Sequence, residues 1–205
     1  MAVHDFFEPP PPPPASEEPE PPPTPPWFGP PRGILPGVVA LELVLARTDR
    51  AAVCVSRIDA YPAGFEFVVL TLAAPGQRDD LDPMLFGPRR HRGRGGNGLP
   101  ADMLRIGVEF ADGAKATNTA GYHTGEHPPR GPVMRDGGGG GAGGDWHQDE
   151  WVWPLPPPGP LAFVCEWPTA EIPLSRVEID AQTILDAATR AQAIFPARGL
   201  CTHQA

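Results

Sequence analysis

The segment HTGEH contains residue types and a spacing that occur in metal sites. His123, Glu126 and His127 match the H-x-x-E-H pattern, in which two histidines on one helix face bind zinc and the glutamate is the general base. Gly125 interrupts the segment, Gly121 lies two residues before it and two prolines follow it, so a helix that holds both histidines is disfavoured. A metal site on a loop, which His147 would complete, stays as a hypothesis beside an ordinary polar surface loop.

The segment WHQDEWVW supplies a second group of candidate residues. In a strand, alternate side chains point to opposite faces, which places Trp151 with His147 on one face and Trp146 on the other. An exposed indole beside polar groups is a platform for a carbohydrate-like ligand, so Trp146, Trp151 and His147 are candidate ligand-binding residues. Burial in a core is the commoner place for such rings, and we expect it for Trp153 and Trp167.

Other chemistries find little support in the sequence. The glycine run at residues 137–144 lacks the lysine of a phosphate loop, and Asp136 and Asp145 flank it with negative charge. It is predicted to be slack in a long loop. Cys54 and Cys165 lie in apolar segments, where a thiol is more often a small buried group than a nucleophile. We predict no catalytic residue of this kind and no cofactor, and the balance leans away from an enzyme.

Charge limits the nucleic-acid partners. The net charge of −9 argues against DNA binding, which needs a basic surface. The arginine-rich segment RRHRGRGG resembles an RNA-binding segment in composition, but Phe86 is the only aromatic residue near it. RNA is therefore an unfavoured partner, and a solvated loop is the better interpretation.

The first 31 residues are predicted to form a disordered, acidic, proline-rich tail. Pro9–Pro14 begin it, and no lysine or arginine occurs before Arg32. Such a segment favours polyproline II and cannot bury a core. It is either a ligand for an aromatic-lined groove, which would make a protein the partner, or a spacer. Trp27 and Phe28 are too large for a pure spacer, and we expect them to dock on the domain.

Localisation is predicted to be cytoplasmic. The amino terminus has no basic segment followed by an apolar one, as a signal peptide would have. No apolar run approaches the roughly 20 residues of a membrane-spanning helix, so no membrane partner is expected. Three cysteines without a paired spacing fit a reducing compartment.

The remaining chain, residues 32–197, has the pattern of an antiparallel β-sandwich. Apolar residues alternate with polar ones in about eight segments separated by glycine and proline turns, with no helical pattern between them. The sandwich is expected to be immunoglobulin-like or jelly-roll-like, with a hairpin across PLPPPGP. Long loops are predicted at residues 75–102 and 121–144. One C-terminal helix is predicted from the N-cap Asp180 to the stop at Pro196, followed by a frayed end at 198–205.

Several segments together resemble a family of hypothetical proteins from high-GC actinobacteria. They are WFGPP, LPGVVALELVLARTD, YPAGFEFVVL, IGVEFADGAKATN, WVWPLPPPGPLAFVCEWP and VEIDAQTILDAATRA. The resemblance covers nearly the whole chain and implies no activity or ligand. It implies that the proline-rich head, the glycine run and the tryptophan-rich segment belong to one protein. The favoured function is a non-enzymatic protein-interaction module; a carbohydrate-like ligand site and a metal-dependent enzyme at HTGEH are the alternatives.

Overall fold

The computed structural model describes residues 24–77, 81, 102–121, 123–125 and 127–195. This part of the chain is mainly β, with all strand pairs antiparallel and a single α-helix. The elements are β1 (Ile34–Leu35), β2 (Gly37–Arg47), β3 (Ala51–Tyr61), β4 (Gly64–Ala73), β5 (Arg105–Glu109), β6 (Lys115–Thr117), β7 (Val133–Ala142), β8 (Asp145–Trp153), β9 (Pro160–Trp167), β10 (Ile172–Asp180), α1 (Gln182–Ala188) and β11 (Gln192–Ala193). The predicted antiparallel β class is confirmed, with eleven strands rather than about eight.

Two sheets make up the sandwich. One has five strands in the order β2-β3-β4-β8-β7, and the other has four in the order β10-β9-β5-β6. The core joins them, as the rings of Phe67 on β4 and Phe163 on β9 show, with centroids 5.1 Å apart. The prediction of a β8–β9 hairpin is wrong, because the proline-rich turn between these strands carries the chain from one sheet to the other.

Alternate side chains face the core in β4 and in the segment around β5. Strand β4 buries Phe65, Phe67 and Val69, and each is at most 1% exposed. The segment that contains β5 buries its alternate residues in the same way, and these are Leu104, Ile106, Val108 and Phe110. Burying such side chains stabilises the fold by about 1.5–3 kcal/mol each relative to exposure, so the alternation specifies which face of each sheet turns inward.

The glycine run is a strand and not a loop, so the predicted loop at 121–144 is wrong for residues 133–142. Strand β7 pairs with β8 along its length, with Gly141 opposite Trp146, and a bulge occurs at Gly138 where φ is +126°. A Cβ on Gly141 would lie 2.0 Å from the carbonyl oxygen of Asp145. Glycine is used here because the two backbones approach too closely for any side chain.

The C-terminal helix is shorter than predicted. Helix α1 ends at Ala188, and residues 192–193 pair instead with β1. The N-cap residue is Ala181 rather than the predicted Asp180, although Oδ1 of Asp180 accepts a hydrogen bond from the Gln182 N–H at 2.9 Å. Phe195, which the predicted helix would include, is 71% exposed. Backbone pairing of residues 192–193 with β1 ends the helix before it reaches Phe195.

Some predictions fall on residues outside the described part. These are the disordered tail up to residue 23, the arginine-rich segment RRHRGRGG, most of the loop at 75–102, and the C-terminal end at 198–205. Within the loop at 75–102, Leu81 is described and belongs to the core, where it is 2% exposed. Among the described residues, no helix is long and apolar enough to cross a membrane.

Candidate functional site

The aromatic segment that precedes β1 lies on the outer face of the five-stranded sheet. The indole N–H of Trp151 donates a hydrogen bond to the carbonyl oxygen of Pro26 at 3.0 Å, and that of Trp27 donates to the carbonyl of Gly125 at 3.3 Å. The guanidinium carbon of Arg135 lies 4.4 Å from the ring centroid of Phe28. The predicted docking of Trp27 and Phe28 on the domain is therefore confirmed, and the docked segment covers strands β7 and β8.

Trp151 lies beneath this docked segment. Its side chain is 1% exposed, and its ring makes an edge-to-face contact with Tyr61 at 5.6 Å between centroids. On the adjacent strand, a Cβ at Gly64 would lie 2.7 Å from the Trp151 ring, so the ring occupies the space that a side chain would take. Both the sheet and the N-terminal segment contact the indole, which leaves no open ring face for a ligand.

The three candidate ligand residues do not form one surface. Trp146 faces the other sheet and is 8% exposed, whereas Trp151 belongs to the outer face. His147 is exposed on the outer face, opposite Leu70 of β4 and Gly140 of β7. The alternation of strand β8 separates Trp146 from the other two, as the sequence pattern implied.

His123 and His127 of the HTGEH segment lie outside the helix and the strands. The Nε2–H of His123 donates a hydrogen bond to the carbonyl oxygen of His127 at 2.6 Å, so that nitrogen carries a proton and offers no lone pair. Glu126 lies outside the described residues, and His147 is on strand β8. Within the described ranges no group of three histidine, cysteine or acidic side chains is arranged to hold a metal ion, and the triad that includes Glu126 stays a prediction.

One end of the sandwich contains a cleft of about 480 Å³. Three segments line it, namely the turn between β5 and β6, the approach to β7, and the turn after β8. The lining residues are Phe110, Asp112, Ala114, Pro129, Arg130, Gly131, Pro132, Trp153, Pro154, Leu155, Pro156 and Pro157. Trp153 also contacts Trp27, with ring centroids 5.7 Å apart, so the docked segment and the cleft share one tryptophan.

The lining of this cleft combines rings, prolines and two charges. Phe110 follows β5 of the four-stranded sheet, belongs to the core and is 4% exposed. Trp153 is the last residue of β8 and is half-buried. Asp112 and Arg130 are exposed at the rim, and Asp112 Oδ1 accepts the Ala114 N–H at 3.0 Å. Such a surface has apolar area for an extended peptide and charges that select its ends or side chains.

A buried carboxyl group on strand β8 was not recognised as special from the sequence. Glu150 is 2% exposed, and its Oε2 has no hydrogen-bond partner within the described part of the chain. Burial, and then the nearby charges of Asp136, Asp149 and Glu66, raise its pKa to about 8. A signal was present, because the alternation puts Glu150 on the same face as Trp146 and Val152.

A second acidic group lies on the outer face beside Trp151. Burial, followed by the charges of Asp149 and Asp59, raises the pKa of Glu66 to about 7, although Arg57 opposes the shift. Burial and the neighbouring carboxylates of Glu66 and Asp59 also raise the pKa of Tyr61 to about 12. The sheet thus holds carboxyl protons near neutral pH on both of its faces.

The outer face of the four-stranded sheet has a further groove of about 370 Å³. Leu174, which is 73% exposed, contributes to its apolar wall. Ion pairs lie along its rim, including Arg105 with Glu166 at 2.7 Å and Arg176 with Glu109 at 3.0 Å. Since these charges are already paired with each other, the groove offers a ligand less free recognition chemistry than the cleft does.

Comparison with known proteins identifies no relative of this chain. No family model matches the chain, and no curated protein or solved structure matches it either. Function is accordingly argued below from the cleft and its surroundings.

Proposed function

We propose that the protein is a non-enzymatic, cytoplasmic protein-interaction module whose cleft binds a proline-rich, extended segment of a partner protein. The observation that carries this proposal is the lining of the cleft, in which Phe110, Trp153 and Leu155 stand among five prolines with Asp112 and Arg130 at the rim. Aromatic-lined grooves are the surfaces that recognise polyproline II segments.

The physical basis is the low cost of ordering both partners. A polyproline II segment has no internal hydrogen bonds and is already extended before it binds, so little conformational entropy is lost. On the protein side, Phe110 is packed in the core and Trp153 contacts Trp27. Trp153, which is half-buried, is therefore held in place without a ligand, and proline rings gain contact area against its exposed part.

The alternatives have weaker support. A carbohydrate-like site on Trp146, Trp151 and His147 would need exposed indoles, and both indoles are buried. A metal-dependent reaction at HTGEH would have to use Nδ1 of His123, because its Nε2–H is engaged with the His127 carbonyl. The free thiols of Cys54 and Cys165 agree with a reducing compartment.

The test is a titration of a decaproline peptide onto isotope-labelled protein, followed by amide chemical shifts. Prolines of the chain itself would compete, so the protein carries serine at Pro9–Pro14 and at Pro21–Pro23, with Pro25, Pro26 and Trp27 kept. We expect saturable shifts at Arg130, Gly131 and Leu155, which line the cleft. A glycine–serine peptide of equal length is the control for non-specific contact.

A different pattern of shifts would contradict the proposal. If decaproline moves no cleft amide at millimolar concentration, or moves the same amides as the glycine–serine peptide, the cleft is not a polyproline II site. Shifts confined to the amides around Leu174 would move the binding surface to the opposite sheet.

A further inference from the structure

We propose that the cleft of the free protein is occupied by the chain's own proline-rich segment, residues 8–23, which a partner must displace. This inference rests on the proposed function of the same cleft, and adds to it an intramolecular ligand that regulates access. The docked aromatic segment, the sequence that precedes it and the charge at the cleft rim support it independently of one another.

The first support is the place where the described chain begins. Pro26 accepts a hydrogen bond from Trp151 at 3.0 Å, and the Trp27 ring contacts Trp153, a residue of the cleft lining. The Trp27 indole also donates to Gly125, a few residues before the proline-rich wall at Pro129–Pro132. The sequence upstream of Thr24 is therefore attached to the domain beside the cleft.

The second support is the length and type of the attached sequence. Residues 21–23 are all proline and end one residue before the described chain begins; six more prolines occupy 9–14. At about 3.1 Å per residue, a 16-residue polyproline II segment spans roughly 50 Å, so it reaches the cleft from its attachment point. A ligand tethered this closely has an effective concentration on the order of 1 mM.

The third support is charge. The segment carries Glu8, Glu17, Glu18 and Glu20 and no basic residue, and Arg130 is an exposed cation at the cleft rim. Polyproline II has three residues per turn, so Glu17 and Glu20 lie along one edge of the segment. Attraction to Arg130 and repulsion by Asp112 favour a placement that puts this acidic edge at Arg130.

The consequence is a competition between a tethered ligand and a free one. If the segment binds the open cleft with a dissociation constant near 0.1 mM, an effective concentration of about 1 mM fills roughly nine clefts in ten. The apparent affinity for any free proline-rich partner then falls by about tenfold. Affinity is restored by whatever removes the segment, without any change in the cleft itself.

The experiment compares two full-length proteins, the native chain and the chain with serine at Pro9–Pro14 and Pro21–Pro23. The probe is a synthetic peptide of residues 8–23, which is titrated onto the protein. The protein concentration is 10 µM, on the order of a hundredfold below the effective concentration of the tethered segment. We expect the substituted chain to bind the probe about tenfold more tightly. In the native chain without probe, the amides of Arg130 and Leu155 should already have the shifts of the bound state.

Two charge reversals provide matched controls within the substituted chain. Arg130→Glu should weaken probe binding several-fold, because the acidic edge loses its cation. Arg47→Glu makes the same change on the exposed edge strand β2 and should leave binding unchanged. Equal weakening by both variants would assign the attraction to net charge and overturn the placement beside Arg130.

The remaining outcomes separate this inference from the proposed function. Equal, measurable affinity of the probe for both chains overturns the intramolecular occupancy and leaves the cleft as a proline-rich site. If decaproline binds the substituted chain but the probe does not, the inference also fails while the function stands. If neither peptide binds either chain, both fail. If the two chains differ tenfold in affinity for the probe but the difference vanishes on dilution, the segment binds the cleft of a second copy of the chain. That result overturns binding within one chain.

Discussion

Glu150 ionises at a cost because it is buried between the sheets and other carboxylates lie nearby. Its usual pKa is 4.5, and burial with neighbouring negative charge raises the pKa in the folded protein to about 8. Below pH 4.5 both folded and unfolded states hold the proton, so the residue is then neutral to stability. Between pH 4.5 and 8 the unfolded state releases the proton and the folded state keeps it, and the free energy of unfolding falls as pH rises.

Replacement of Glu150 by glutamine, its neutral isostere, should remove most of the fall in the free energy of unfolding between pH 4.5 and 8. We expect Glu150→Gln to match the native protein near pH 5 and to exceed it by about 2–4 kcal/mol at pH 8, because one pKa unit corresponds to about 1.4 kcal/mol. Urea denaturation at pH 5, 6.5 and 8 measures the difference. The free energy of unfolding of the variant should still fall somewhat up to pH 7, because the pKa of Glu66 is also raised, to about 7.

The matched control for this variant is Glu42→Gln on the exposed side of β2. It makes the same chemical change without removing a buried charge, and its stability should follow the native pH profile. Parallel profiles for the native protein and Glu150→Gln would show that Glu150 is not the proton-holding group.

At the scale of elements, strand β7 shows how a neighbour determines structure when side chains do not. The run from Gly137 to Gly141 carries no alternation, yet each residue pairs with β8 except at the bulge. A Cβ on Gly140 would meet the His147 ring at 3.4 Å, which is ordinary contact, whereas one on Gly141 would lie 2.0 Å from backbone. Two adjacent glycines therefore differ in what they tolerate.

Alanine substitution should separate these two positions. We expect Gly141→Ala to lower the free energy of unfolding by about 2 kcal/mol, because the β7–β8 backbones must move apart. Gly140→Ala should change it by less than about 0.5 kcal/mol. Chemical denaturation of both variants beside the native protein gives the comparison, and equal destabilisation would mean that the loss does not come from the close backbone approach at Gly141.

The same strand shows what sequence reasoning reaches. Alternation with polar residues predicts the buried face of β5, where Ile106 and Val108 face the core. Strand β4 has apolar residues on both faces, so its sequence predicts a strand but not which face is buried. Alternation did not predict β7, because a glycine run has no polar–apolar pattern. The hydrogen bonds that order this strand come from β8. The cleft was beyond reach for a related reason: Arg130 and Leu155 are on separate turns, and only the assembled sheets bring them together.

At the scale of the whole molecule, one core joins the two sheets, and Cys165 belongs to it. Its side chain is 1% exposed, and burial raises the pKa of its thiol to about 11. Thiol reagents attack the thiolate, so reaction requires both access and deprotonation. In a sandwich that opens as one unit, both become available only on global unfolding.

Thiol labelling should accordingly report cooperativity. In a chain with Cys54→Ala and Cys201→Ala, we expect iodoacetamide to label Cys165 at a rate that tracks the global free energy of unfolding as urea is added. A chain that keeps only Cys54, which is half-buried on the outer face, should react faster in native buffer. Rapid labelling of Cys165 without urea dependence would mean that the four-stranded sheet opens on its own.

The hydrogen bond between Trp151 and Pro26 joins residues 125 positions apart. A ribosome adding about 5–20 residues per second makes Pro26 roughly 6–25 s before it makes Trp151. Trp27 is thus synthesised before Trp151, and strand β8 must be complete before the surface that binds Trp27 exists. The aromatic segment at the start of the chain can dock only late in synthesis, and until then its rings are available to chaperones.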